Sequence, residues 1–98
     1  MDEGLRAQFA RRDAIIAEIR RILVEHLDVA LPPDAIEPDV PLFGTGLGLD
    51  SVDAVELVVS AEVRFGIVLP QRVMQDGLRT VNSLVDIVLE LAPEWEAS

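Results

Sequence analysis

Ser51 lies between two carboxylates in the run Leu47-Gly48-Leu49-Asp50-Ser51-Val52-Asp53, and this run opens a stretch of helical periodicity. A serine placed there has two kinds of chemistry open to it. As a hydrolytic nucleophile it needs a base. His26 is the only histidine, distant along the chain and near the end of another periodic segment, where a cation more often favours a helix C-terminus than joins a triad. As the bearer of a phosphate, Ser51 would sit where unpaired backbone N–H groups and the helix dipole stabilise an anion by roughly 0.3 to 2 kcal/mol. The plain structural reading is that Asp50 or Ser51 caps the helix, with Asp53 favoured at the positive end of its dipole. Spacing alone favours capping, while Gly48 gives the backbone room beside an approaching enzyme.

No other set of residues competes well. With 0 cysteines the chain has no thiol nucleophile, disulfide or thiolate metal site of its own. Asp39 and Asp50 bracket 12 residues with Gly44 at the sixth, but Pro41 and Phe43 stand where a calcium loop needs oxygen ligands, and Asp50 replaces the bidentate Glu. No metal site is expected, and no catalytic residue.

The elements that must position Ser51 are helical. Over about Leu5–Leu27, Ile15, Ile19, Ile22, Leu23 and Leu27 recur at spacings of three and four, the signature of one buried stripe, and Pro32-Pro33 forbids continuation. A second helix is predicted over Ser51–Phe65 with Gly66 as its stop, and a third from Thr80, a reasonable N-cap, to Pro93. Between Pro70 and Leu78 there is room for one short helix or turn. The strand alternative is confined to the ambiguous Gly66-Ile67-Val68-Leu69. The expected fold is all-α, a four-helix bundle of three main helices plus one short helix, with a long loop between the first two. It forms a single domain over residues 1–98, with its core at about 5–92 and a tail at 93–98. The loop Asp28–Asp50 is rich in proline and glycine, and Ile36, Val40, Leu42 and Phe43 are expected to anchor it on the bundle.

Charge is unevenly spread over the 98 residues. The 18 acids against 8 bases give −10, and between Asp28 and Val63 there are 8 acids and no base. A phosphate-backbone binder is therefore improbable, and aromatic content of 4% leaves little for base stacking, so no nucleic-acid partner is expected. No apolar run approaches the roughly 18 residues of a membrane span, and the acidic start lacks the features of a signal peptide. A cytoplasmic monomer without membrane insertion is the expectation. On the first helix, Glu18 with Arg21 and Arg11 with Asp13 read as a solvated face. For Trp95, beyond Pro93, packing and exposure are both open.

Winding Ser51–Phe65 at 100° per residue separates two apolar faces. Ala54, Leu57, Val58, Ala61 and Phe65 form the core stripe; Val52, Val55, Val59 and Val63 lie opposite, bordered by Glu56 and Glu62. So small a bundle cannot surround a helix, so the second stripe is expected to be exposed and to dock partners. The alternative packs Val52 and Val59 under the long loop or the Pro70–Leu78 segment. Several valines provide a few kcal/mol before association costs, which suits transient, salt-sensitive encounters with basic surfaces.

Leu47-Gly48-Leu49-Asp50-Ser51-Val52-Asp53-Ala54-Val55-Glu56-Leu57 resembles the prosthetic-group attachment motif of acyl carrier proteins. Phe65-Gly66-Ile67-Val68-Leu69-Pro70 resembles that family's helix end, and Thr80-Val81-Asn82-Ser83-Leu84 the opening of its last helix. The resemblance covers roughly Arg12–Leu91. It implies that Ser51 carries 4′-phosphopantetheine, installed from coenzyme A by a phosphopantetheinyl transferase (holo-acyl-carrier synthase), with Asp50 helping to contact the transferase's metal. The protein would then be a non-catalytic carrier of acyl thioesters in fatty-acid, polyketide or specialised lipid biosynthesis. Its partners would be ketosynthase, acyltransferase or acyl ligase enzymes with basic docking surfaces. Docking positions implied by the resemblance are Val52, Asp53, Glu56, Val59 and Glu62, and Leu57, Ala61 and Phe65 match positions that line the family's acyl pocket.

Departures from the pattern point to a specialised member. Ala61 is smaller than the residue often found there, Gly46 replaces a frequent acid, the loop is longer, and Gln71–Asp76 replaces an acidic third helix. An aminoacyl or peptidyl carrier shares the Asp-Ser helix start, although many read Gly-Gly-(Asp or His)-Ser. A helical adaptor without a prosthetic group would share the exposed valines.

Overall fold

The computed structural model describes residues 3–74 and 78–95, with side chains from residue 10 onward. Among them are three α-helices, α1 (Glu3–Glu25), α2 (Ser51–Phe65) and α3 (Val81–Leu91), one 3-10 turn at Pro33–Ala35, and no strand beyond isolated bridges. The fold is all-helical as the periodicities predict. The short helix allowed between Pro70 and Leu78 falls partly on residues 75–77, which lie outside the described residues. Over Pro70–Met74 the chain turns, with Val73 N–H donating to Pro70 O (3.0 Å) and Met74 N–H to Gln71 O (3.1 Å).

Each helix ends where its local chemistry stops it. Leaving α1, the chain wraps back through Val29 N–H to Leu23 O (3.1 Å), with Asp28 at φ 57, a left-handed position that aspartate tolerates better than most residues. Gly66 stops α2 at φ 66, and Ile67 N–H returns to Glu62 O (3.1 Å). Thr80 caps α3 through a reciprocal pair: its side chain accepts Ser83 N–H (3.1 Å), and Ser83 Oγ accepts Thr80 N–H (3.0 Å).

α1 is the packing centre, in contact with α2, α3 and the 3-10 turn. Its stripe of Ile15, Ile19, Ile22 and Leu23 meets Ala54, Leu57, Ala61 and Phe65 of α2 and Val81, Leu84, Val85 and Val88 of α3 in one aliphatic core. The arginines of α1 tie it outward. Arg12 reaches Asp86 (2.7 Å) and Asn82 (2.9 Å) on α3, and Arg20 Nε donates to Ile36 O of the loop (2.8 Å).

One expectation for α1 is corrected. Glu18 is not on a solvated face: it is buried, and its carboxylate accepts from Arg64 Nε of α2 (2.6 Å) as well as from Arg21 (3.3 Å). It lies three residues from Ile15 and four from Ile22, hence at the margin of the buried stripe, where a charge needs a partner.

The long loop is ordered by the anchors its sequence suggested. Ile36 and Leu42 are fully buried, and Val40 and Phe43 pack against the core. Leu42 exchanges backbone bonds with both sides, donating to Arg79 O (2.9 Å) and accepting from Leu49 N–H (3.0 Å), while Leu47 N–H donates to Pro41 O (2.9 Å). Asn82 closes the arrangement by donating its backbone N–H to Pro38 O (2.9 Å) and its side-chain amide to Asp39 (2.6 Å).

Gly46 sits where Pro41 passes closest, and a Cβ there would fall 1.8 Å from Pro41 O. Gly46→Ala is therefore expected to destabilise by about 3 kcal/mol, the upper end for overpacking, because the obstructing atom is backbone. A drop in the urea midpoint checks this; an unchanged midpoint would mean the turn relaxes freely.

Candidate functional site

The segment Pro41–Leu49 delivers the chain to the N-terminus of α2, where Asp50 adopts an extended conformation (φ −108, ψ −175) as N-cap. Asp50 Oδ1 accepts Asp53 N–H (2.9 Å), and Asp53 Oδ2 accepts Asp50 N–H (3.0 Å), a reciprocal box built from two aspartates. Of the two cap readings, the structure selects Asp50. Ser51 is consequently the first helical residue, exposed, with its hydroxyl making no hydrogen bond among the described residues.

That division of labour decides what the site can do. A serine used as cap has its oxygen aimed at the helix amides and engaged there; Ser51 Oγ is spared this. The amides of Ser51 and Val52 likewise find no acceptor among the described residues, as expected for the first turn of a helix. An anion bonded to Ser51 would thus meet unpaired donors and the positive end of the dipole. His26 is exposed at the far end of α1 and lines a groove with Glu56, Val59 and Val63, none of which makes a triad with Ser51. No metal-holding group of acidic or histidine side chains occurs among the described residues.

The opposite face of α2 is open as its periodicity implies. Val52 and Val63 are 75% and 80% exposed, and Val55 and Val59 about half, so neither the loop nor the Pro70 segment covers them. Glu56 is exposed beside them, Asp53 is half-buried in the capping box, and Glu62 is committed in part to accepting Leu69 N–H (2.8 Å). Glu62 therefore holds the turn after α2 as well as bordering the strip. Leu57, Ala61 and Phe65 lie on the inner face, buried in the core.

Two groups of consequence emerge only in three dimensions. Glu18 and Arg64 join α1 to α2, and Trp95 packs on the end of α2, its ring edge-on to Phe65 (centroids 4.9 Å apart, interplanar angle 74°) with the Arg64 guanidinium 5.5 Å from its centroid. The position of Glu18 beside the isoleucine stripe was the available signal for the first. Nothing in the sequence signalled the second. The tail expected from residue 93 is thus held at Trp95; residues 96–98 lie outside the described residues.

The structure thus presents a small helical scaffold in which an exposed serine, unengaged among the described residues, opens a helix between two mutually capping aspartates. The family described as phosphopantetheine attachment site matches residues 17–88. An acyl carrier protein of Campylobacter hominis is 45% identical over 56 residues, covering 57% of this chain and 67% of its own length. Those of a Sulfurovum species and of Thermosynechococcus vestitus are 32% and 30% identical, each over 76% of this chain and over 95% and 86% of their own lengths. The chain belongs to the acyl carrier protein family. It is a non-catalytic carrier whose cofactor is 4′-phosphopantetheine, and when bound that group supplies a thiol on a flexible arm, to which acyl groups are attached as thioesters. Members of this family work with a phosphopantetheinyl transferase and biosynthetic enzymes. No helix among the described residues is long and apolar enough to cross a membrane.

Proposed function

We propose that Ser51 is the attachment residue, and that the protein serves fatty-acid, polyketide or specialised lipid biosynthesis as a dedicated carrier. The observation that carries this is the exposed Ser51 hydroxyl, freed from capping by Asp50. In the loading step Ser51 Oγ attacks the β-phosphorus of coenzyme A. The phosphodiester to Ser51 forms, the bond to the adenosine bisphosphate portion breaks, and the serine proton passes to the transferase's base. Asp50, exposed at the cap, is free on its outer oxygen to approach the transferase's metal.

Docking is assigned to Val52, Val59 and Glu56, with Asp53 and Glu62 contributing charge from their structural positions. The exposed valines and the base-free middle of the chain support this, because apolar contact supplies affinity and the acids steer basic partners. Val59→Glu should weaken the transferase's apparent affinity by about 10-fold, the worth of one lost valine contact, with folding stability changed by less than about 0.5 kcal/mol. Transfer kinetics against carrier concentration, with denaturation as control, test it. An unchanged KM would remove Val59 from the docking surface.

Leu57, Ala61 and Phe65 are proposed to line the space in which an acyl chain shelters, the aliphatic core parting to admit it. Mass spectrometry of Ser51 after incubation with a transferase and coenzyme A tests the attachment. Presenting the resulting carrier, with its prosthetic thiol free, to acyl and aminoacyl ligases separates an acyl carrier from an aminoacyl one.

A further inference from the structure

We infer that Trp95 is the end wall of the acyl chamber and sets the longest chain the protein can shelter. This rests on the proposal that Leu57, Ala61 and Phe65 line that chamber. Ser51 opens α2 and Phe65 ends it, and the 15 residues of the helix span about 22 Å. The buried stripe descends from the attachment end through Ala54, Leu57 and Ala61 to Phe65, so a chain entering near Ser51 and following the stripe meets Phe65 last.

Phe65 is only 5% exposed, and the indole of Trp95 meets it edge to face. Edge-to-face pairs of this kind hold both rings more firmly than area burial alone. Trp95 is in turn held by Arg64. The Arg64 guanidinium lies 5.5 Å from the indole centroid, and Arg64 is itself fixed by the 2.6 Å bond from its Nε to the buried Glu18 carboxylate. The backbone adds a further hold, Trp95 N–H donating to Ala92 O (3.1 Å). The wall is thus a chain of contacts running from α1 through α2 to the C-terminal segment, in which Trp95 backs the Phe65 ring.

The test uses the full chain loaded at Ser51 by a transferase from a series of acyl-coenzyme A donors of increasing length, with hydroxylamine cleavage of the thioester as readout. In the native protein, protection should grow about fourfold per added methylene as each is buried, then stop growing at a definite length. In Trp95→Ala that plateau should shift to longer chains; in Trp95→Phe, which keeps an aromatic wall, it should stay closer to the native length. Emission from Trp95, the only tryptophan, should change on loading with chains at the plateau length and not with acetyl. Protection that plateaus at the same length in native protein and Trp95→Ala overturns the inference and leaves the chamber standing. Protection absent at every length overturns both. Far-ultraviolet circular dichroism of Trp95→Ala checks that its fold persists.

Discussion

Ser51→Ala is expected to abolish attachment of the prosthetic group completely while leaving the fold as stable as before. Mass spectrometry after exhaustive incubation with transferase and coenzyme A should show the native chain fully shifted and the variant unshifted. Urea denaturation should place the two within about 0.5 kcal/mol of each other, because an exposed residue outside any cap carries little stability. Asp50→Ala makes the contrast: it removes the side chain that accepts Asp53 N–H and should cost about 1 kcal/mol. If Ser51 were the cap, these stability effects would be exchanged. A shifted Ser51→Ala product would place the attachment on another residue and sink the proposed function.

Arg64→Ala is expected to produce the largest loss of stability through a single charge. Glu18 keeps only 8% of its side chain exposed, and without Arg64 its carboxylate retains the single 3.3 Å contact to Arg21, which is itself 59% exposed. Removing one member of a buried pair costs about 3 to 5 kcal/mol. Because Arg64 is 35% exposed here and water can enter its place, about 2 to 3 kcal/mol is the expected cost, read from the denaturation midpoint.

The same pair makes stability depend on pH. The hydrogen bond from Arg64 holds the Glu18 carboxyl below its usual range, against the opposing effect of burial, with the charges of Arg64 and Arg21 helping. The folded state therefore binds fewer protons at this site than the unfolded chain does. Its contribution is complete above the unfolded carboxylate range, near pH 4.3, and drains away as pH falls toward and through the lower folded value. Glu18→Gln should abolish that component, so the gap between native and variant midpoints should narrow as pH is lowered below about 4.3. A gap independent of pH would show that Glu18 binds its proton equally well in the folded and unfolded chains, so that Arg64 does not favour its charged form.

The capped start of α2 was legible because its physics is local, whereas the carrier role of Ser51 came from the resemblance. An Asp-Ser-x-Asp step after a glycine-rich turn specifies a capped helix start from residues within one turn of each other, and a stop at Gly66 follows from its freedom at positive φ. Two apolar stripes on one 15-residue helix cannot both be buried in so small a bundle, so the exposure of Val52 and Val63 followed from counting elements. The loop anchors Ile36 and Leu42 stood out as isolated apolar residues in a polar, proline-rich stretch.

Glu18 was read wrongly because its near neighbour Arg21 offered a sufficient local partner, whereas the stronger partner, Arg64, lies 46 residues away. The sequence by itself determined the three main helices, the stop of α2 at Gly66, the acidic middle and the serine that opens α2, since each depends on residues a few positions apart. Tertiary structure alone decided that Asp50 caps in place of Ser51, that Glu18 is buried against Arg64, and that Trp95 closes on Phe65. The first is a choice between neighbouring oxygens made by backbone direction at the end of a loop pinned elsewhere. The others exist only once the helices have packed, because contact across a bundle is set by where distant segments meet.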